Sequence, residues 1–374
     1  MKKMKVSLII IALGLIVSVL ITRFSAAHEQ KPKENDFLTF LTKHPAQSSI
    51  SFIHNERTFE HNSFEAFPLA SAVKTIIAIE YATQVSNGTI NPNEKVALKT
   101  LNAYYIGLDG DAHYQWQNSL KKEKKVRDNR VTIEEIAKGM IQFSSNANAE
   151  YLTERLGLPE INAQLNRLNL NDHTPIYAFG GSPFIPYEVM EGNITKKNRE
   201  EAKKKVHKLS QKEWNEYALT VHQKLKEDVN GEYKQKVDIK SWYDRDLDRM
   251  FTDRFTTSTT HDYVQLMNRL NNRELSPKVH QYLDPLLEWP MKSKQIQQDF
   301  QRFGGKGGST AYVLTDALYA ISKDGEKTAM AIFLKDLTPS QQEKLQQSIE
   351  AFEYRLLTDA AYQTQVEKQL SGEK

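Results

Sequence analysis

Ser71 and Lys74 stand one helical turn apart in Ser71-Ala72-Val73-Lys74, at the head of a stretch that is apolar nearly all round. On a helix, positions i and i+3 share a face, so the hydroxyl and the amine can meet. A serine is a weak nucleophile at neutral pH and needs an adjacent base. A lysine serves as that base only where burial or a neighbouring cation depresses its pKa. The spacing alone is a weak signal. Ser119-Leu120-Lys121-Lys122 repeats it inside a Lys-rich run that reads as a solvated loop. Ser71 differs in its frame: Phe67-Pro68-Leu69-Ala70 leads into a buried helix carrying Ile76, Ile77, Ala78, Ile79 and Ala82.

Two further segments offer matching chemistry. Ser144-Ser145-Asn146 closes a helix, where a hydroxyl on Ser144 could relay a proton to a leaving nitrogen and Asn146 could hold an amide. A plain helix terminus would account for the same residues. Lys306-Gly307-Gly308-Ser309-Thr310 places a lysine beside two glycines just before an expected strand. Glycine there lets a ligand approach an edge-strand backbone, and the lysine could bind a carboxylate and lower the pKa of Lys74. An ordinary glycine-rich turn is the competing reading.

These residues need a frame, and the hydrophobic pattern supplies one. A short helix is expected over Asn35–Thr42, and Ile50–Ile53 and Arg57–Glu60 read as a strand pair. The helix of Ser71 runs to Gln84, with Gly88 as its stop. Thr132 opens another, with Glu135 three residues on as a capping box. Leu152–Leu170 continues helical past a Gly157-Leu158-Pro159 break. Residues 178–194 are a Gly/Pro-rich loop, 195–236 a charged helical stretch, and 259–271 a helix. Strands are expected at Tyr312–Leu314, Ala317–Ile321 and Thr328–Leu334, the last two joined by a Lys323–Glu326 turn, before a long terminal helix from Pro339. Strands at both ends with helices between predict an α+β fold, one antiparallel sheet closed by distant segments.

Order and spacing then agree. SxxK near the start, SxN about seventy residues later and Lys-Gly-Gly near the end resemble the signature set of class A β-lactamases and penicillin-binding serine hydrolases. Phe67-Pro68-Leu69-Ala70-Ser71 is similar to the family's lead-in to its nucleophile helix. Val131-Thr132-Ile133-Glu134-Glu135 through Asn146 is similar to its second signature helix, and Arg254-Phe255-Thr256-Thr257-Ser258 to the segment closing its omega loop. The resemblance implies a β-lactamase/transpeptidase-like fold, an antiparallel sheet flanked by helices with an all-helical subdomain. It also implies an acyl-enzyme route. Ser71 attacks a β-lactam or peptide carbonyl, Lys74 takes its proton, and the oxyanion rests between the N–H groups of Ser71 and Ser309. Ser144 protonates the departing nitrogen. Asn146 and Gly308 line the substrate, and Lys306 anchors its carboxylate, helped by Ser309 or Thr310. No cofactor is implied, and the scattered histidines form no metal motif.

Two departures from the family pattern bear on function. Gly307 stands where a threonine or serine is usual, and no Glu-x-x-Leu-Asn segment supplies the base that activates the deacylating water. Glu188, Glu191, Asp244 and Asp246 are candidate replacements within a charged insertion spanning about 178–253. A β-lactamase-type hydrolase is therefore the first reading. A D-Ala-D-Ala peptidase or transacylase acting on peptidoglycan stems is the second, and an esterase or a non-catalytic cell-wall-associated relative the third. Tyr104 or Tyr105 could wall the cleft or pack in the core.

Composition narrows the rest. Lys and Arg total 50 against 47 Asp and Glu, a net charge of +3 that gives no nucleic-acid footprint. With no cysteine, disulfides and thiolate chemistry are excluded. Lys2, Lys3 and Lys5, an apolar run from Val6 to Thr22, and Ser25-Ala26-Ala27 read as an export signal. Residues 1–27 are thus a signal peptide or membrane anchor, which puts residues 28–374, the catalytic domain, outside the cytoplasmic membrane, anchored or secreted. The lysine runs at 121–125 and 196–205 read as solvated faces.

Overall fold

The computed structural model describes residues 34–371, so residues 1–27, expected to be a signal peptide or membrane anchor, lie outside the described residues. Among those described, no helix is long and apolar enough to cross a membrane. Along the chain run α1 (Glu34–Lys43), β1 (Ser48–His54), β2 (Arg57–His61), β3 (Phe67–Pro68) and α2 (Lys74–Ser86). Then come β4 (Lys95–Ala97), α3 (Leu98–Ala103), α4 (Ala112–Lys122), β5 (Arg130–Thr132), α5 (Ile133–Gln142), α6 (Asn146–Leu156) and α7 (Leu158–Arg167). The insertion carries α8 (Ile185–Val189), α9 (Arg199–His207), α10 (Gln211–Glu227), α11 (Glu232–Val237) and α12 (Arg245–Thr252). The chain closes with β6 (Thr257–Ser258), α13 (Thr260–Asn271), α14 (Pro277–Leu287), α15 (Ile296–Asp299), β7 (Phe300–Ser309), β8 (Leu314–Ser322), β9 (Lys327–Leu334), α16 (Pro339–Thr358) and α17 (Ala360–Ser371).

The described residues form two compact units. One comprises 34–82, 163–174 and 256–371, the other 83–162 and 175–255. The first holds a five-stranded sheet in the order β2-β1-β9-β8-β7, with every neighbour antiparallel. Pairing β1 with β9 joins chain ends about 280 residues apart, Ser48 opposite Leu334. Strand alternation explains why both ends are needed. Ile50 and Phe52, with Met330, Ile332 and Leu334, turn one face toward Phe37, Leu41, Phe352 and Tyr362 of α1, α16 and α17. The other face carries Phe333, whose ring meets Tyr263 of α13 edge-on at 5.4 Å.

The second unit is built on helices whose buried stripes follow the 3.6-residue period. Trp214, Ala218, Val221 and Leu225 line the inner side of α10, and Ile133, Ile136, Ala137 and Met140 that of α5. This unit is not all-helical, because β4 and β5 form a two-stranded ribbon. Backbone pairing there turns the chain into α5 at Thr132, whose Oγ1 caps the Glu135 N–H at 3.2 Å.

Several elements differ from expectation. Ser71 does not open an α-helix but sits in a 3₁₀ turn, Ala70–Val73, with α2 starting at Lys74. The lysine-rich copy Ser119–Lys122 is the last turn of α4, where Trp116 and Leu120 are buried; an amphipathic stripe was hidden by its charges. Residues 178–194 include a short helix, α8. The Lys306–Ser309 segment is itself the end of strand β7, and Tyr312 and Val313 lie in the turn that follows it. Alternation is masked there because Gly304, Gly305, Gly307 and Gly308 offer no side chain to read. The terminal helix is two, α16 and α17, broken at Asp359.

Candidate active site

In the sheet-containing unit, Ser71 is held by its approach. Phe67 and Pro68 pair with Ser258 and Thr257, and Leu69 donates its N–H to Thr256 O at 3.0 Å. Ala70 then takes φ of 45°, a left-handed conformation that alanine rarely adopts. Such strain is kept only where surrounding contacts enforce it, and it is concentrated at functional positions. The turn it creates leaves Ser71 partly accessible above Lys74, which is fully buried. Lys74 Nζ donates to Ser71 Oγ at 3.0 Å.

Strand β7 approaches this turn with no room to spare. A Cβ on Gly308 would lie 2.4 Å from Ser71 N and 2.8 Å from Ala72 N. Thr315, opposite Gly308 in the register, donates its hydroxyl to Leu69 O at 2.9 Å and lies 3.2 Å from Gly308 O. One side chain therefore ties β7, β8 and the Ser71 turn together. Lys306, two residues before Gly308 and so on the same face, is buried with its Nζ donating to Gly307 O. Burial pushes its pKa down to about 8, against the pull of Asp316.

Gly307, where the resemblance implies a hydroxyl, leaves little room for a side chain. Gly307 faces Asp316 across the ladder, and an added Cβ would meet Asp316 Oδ2 at 3.1 Å and Thr315 O at 3.3 Å. A threonine there would crowd a carboxyl that burial already raises to about 6, although Lys306 pulls it the other way. Alternation puts Ser309 on that same face, so what Ser309 can offer Ser71 is its backbone N–H.

The second unit carries the other motif at the α5–α6 junction. Ser144 has φ of 58°, and the helix restarts at once with Ser145 as its N-cap. Ser145 is fully buried; its Oγ accepts the Asn148 N–H at 3.3 Å and lies 3.2 Å from His113 Nδ1. Burial lowers the His113 pKa to about 4, so this ring is neutral in the cell's range. The middle residue of the motif thus builds the corner, while Ser144 and Asn146 on either side stay partly accessible.

Asn146 opens into a cleft that Tyr104, Tyr105, Gly180, Tyr243 and Asp248 also line. Both tyrosines wall this cleft, and Tyr104 is at the same time buried against the His222 ring at 5.3 Å. None of the four acids expected to replace the family's glutamate lines it. Glu188 is tied to Lys224 and to the Tyr233 hydroxyl at 2.6 Å. Glu191 is exposed in a turn. Asp244 caps α12 through the Leu247 N–H and pairs with Arg199 and Lys203, both at 2.9 Å. Asp246 pairs with Lys203 at 2.6 Å. Lys203 is thereby buried within a run that reads as a solvated face.

Asp248, passed over in the sequence, is the carboxylate of the insertion that does reach the cleft. Burial raises its pKa, while the Tyr243 hydroxyl, 3.2 Å from Oδ1, opposes the rise. No pattern in the sequence sets it apart from the neighbouring acids, because the cleft it reaches is assembled from segments distant along the chain.

The family model for the beta-lactamase enzyme family matches residues 32–352. The chain belongs to that family. The solved beta-lactamase from Sphaerobacter thermophilus superposes with a TM-score of 0.53 at 14% identity, covering 87% of this chain and 97% of the other. The beta-lactamase from Chitinophaga pinensis gives 0.53 at 14%, covering 88% and 99%. An acyl-enzyme complex of the PBP-A L158E mutant with penicillin G gives 0.50 at 15%, covering 90% and 100%. No curated protein matches. At these identities the likeness establishes the fold: β-lactamase/transpeptidase-like, α+β, with an antiparallel sheet and many helices. This chain's SxxK and Lys-Gly-Gly segments fall in one unit, and its SxN segment in the other.

Proposed function

We propose that this chain is an exported serine hydrolase that is acylated on Ser71 and hydrolyses a β-lactam amide. The observation that carries the proposal is the Lys74 Nζ to Ser71 Oγ contact of 3.0 Å with the lysine fully buried. An amine taken out of water loses preference for its charged form, which is what a lysine base requires. In its neutral form Lys74 accepts the Ser71 proton as Oγ adds to the lactam carbonyl. Developing charge on the carbonyl oxygen is met by the N–H groups of Ser71 and Ser309. Ser144 delivers a proton to the departing nitrogen, Asn146 holds the substrate amide, and Lys306 receives the substrate carboxylate. The N-terminal basic and apolar segment supports export.

A second reading is favoured by a specific observation. Asp244 and Asp246 pair with Lys203, and Glu188 with Lys224 and Tyr233, so three of the four acids expected to activate the deacylating water are engaged elsewhere. PBP-A, whose mutant carries a penicillin G acyl group in its solved structure, is a relative in fold. A slow acyl-enzyme would make this chain a peptidoglycan peptidase or transacylase that penicillin traps.

The test is intact mass of the full chain mixed with benzylpenicillin, followed over time beside Ser71→Ala. Acylation on Ser71 predicts a penicilloyl adduct that the variant lacks. Rapid loss of the adduct to hydrolysed drug supports the β-lactamase, and a persistent adduct supports the peptidoglycan enzyme. Absence of both adduct and hydrolysis removes penicillin recognition.

A further inference from the structure

His222 lies on α10, in the insertion, and is one of the most enclosed titratable groups of its unit, with a side chain 3% exposed. Its Nδ1 lies 2.5 Å from Glu150 Oε2 and its Nε2 lies 3.0 Å from Glu154 Oε2, both on α6. Glu150 is completely buried, and its second oxygen accepts the Gly180 N–H at 2.5 Å. Glu154 is completed by Lys226, one turn along α10. The Tyr104 ring packs on the imidazole from the end of α3.

Proton counting decides what this arrangement needs. Two nitrogens face two carboxylate oxygens, and each short contact must hold a proton. A neutral imidazole between two ionised carboxylates supplies only one. With both nitrogens hydrogen-bonded to carboxylate oxygens, the imidazole holds one proton more than a neutral ring would. Without it, two lone pairs would face each other 2.5 Å apart in a buried site.

The cluster also touches the cleft. Gly180, held by Glu150, lines the cleft beside Asn146. A Cβ on Gly180 would strike Glu150 Cγ at 2.5 Å, and one on Gly181 would strike Val221 and Leu225 of α10 at 2.7 and 2.9 Å. Helix α10 therefore lies directly on the backbone that forms this wall.

We propose that His222 and Glu150 are positioning residues which share one proton as a brace, clamping the inserted helix α10 onto α6 and holding the Gly180 wall of the cleft in place only while that proton is bound. The proposal does not depend on acylation of Ser71. Its pH direction follows from the contacts. Burial lowers the histidine's pKa, but the hydrogen bonds and charges of Glu150 and then Glu154 outweigh it, and the net value is raised. A raised folded value means that the bracing is complete below the ordinary imidazole value of 6.5 and is lost as pH rises through the raised one. Besides these carboxylates, Lys226, the Tyr104 hydroxyl and the Tyr177 hydroxyl face the cluster. Lys226 acts through Glu154, and burial keeps Tyr104 neutral across this range. Burial raises Tyr177 to about 12, so it too stays neutral.

The test is hydrogen exchange of the peptide spanning residues 178–184 in the full chain from about pH 6 to about pH 9.5, corrected for intrinsic exchange. The His222 titration is read in parallel by NMR. Protection of this peptide is expected to fall about tenfold or more across the His222 midpoint, while β8 and β9 peptides hold theirs. His222→Gln should show weak protection at every pH. Glu154→Gln keeps the Glu150 contact and should move both the midpoint and the loss of protection to lower pH, which serves if His222→Gln does not fold. Protection of 178–184 that is flat across the titration overturns the proposal. So does a His222 midpoint at or below the ordinary value, or one that Glu154→Gln leaves in place.

Discussion

Gly308→Ala puts the site's central packing claim at risk. The added methyl would sit 2.4 Å from Ser71 N, 2.8 Å from Ala72 N and 2.9 Å from Thr315 Oγ1. Carbon in normal contact stands off by about 3.5 Å, so the strand and the turn must part by roughly an ångström. The turn cannot yield cheaply. Leu69 is tied to Thr256 on one side and to Thr315 on the other, and Ala70 is already held at φ of 45°. Overpacking of this kind costs about 1–3 kcal/mol of stability. The larger effect is expected on chemistry. A shift of about 1 Å in a reacting group costs on the order of 10²-fold, and loss of one oxyanion donor about 10²–10³-fold. Acylation by benzylpenicillin should therefore slow by at least about 10²-fold, with a modest drop in thermal midpoint. Gly307→Ala is the control, because its methyl would face Asp316 and Thr315 and not Ser71. If Gly308→Ala acylates within about threefold of the parent chain, the Ser71 N–H is not an oxyanion donor held by this contact.

Two more outcomes follow from the sheet-containing unit. Because burial holds Lys306 near 8, affinity for substrates bearing a carboxylate should weaken as pH passes about 8. That limb should appear in KM and vanish in Lys306→Met, and its survival there would remove Lys306 as the anchor. The same depressed value disfavours the charged lysine in the folded state, so its cost to stability fades between about 8 and 10.5. Phe352→Ala should cost about 3–5 kcal/mol in denaturant unfolding, since Phe352 is fully buried between α1 and the sheet with Phe37 4.7 Å away; a loss below about 1 kcal/mol would show that α16 and α17 do not share the sheet's core.

Much of this was legible in the residues. Helices α1, α5 and α13 were legible because their signals are local, whereas residues 195–236, read as one charged helical stretch, are divided among α9, α10 and α11. The β1–β2 hairpin and the β8–β9 turn were readable for the same reason. Strand β7 was not, since four glycines erase the alternation by which strands are recognised, and α4 was hidden by lysines that decorate a buried Trp116 and Leu120.

Ser71, Lys74, Ser144, Asn146 and Lys306 were singled out from the sequence, because a serine three residues before a lysine, an SxN segment and a Lys-Gly-Gly segment together resemble the family's order and spacing. What tertiary structure alone decided was which acids are spent. Asp244, Asp246 and Glu188 look alike on paper, yet each meets a cation or hydroxyl brought from another helix, while Asp248 alone of the insertion's acids reaches the cleft. The carboxyl that a side chain at Gly307 would crowd likewise lies nine residues away in the sequence and directly across a strand ladder, at Asp316. A carboxylate's role is set by what neutralises it, and the neutralising partners are assembled only when distant segments pack.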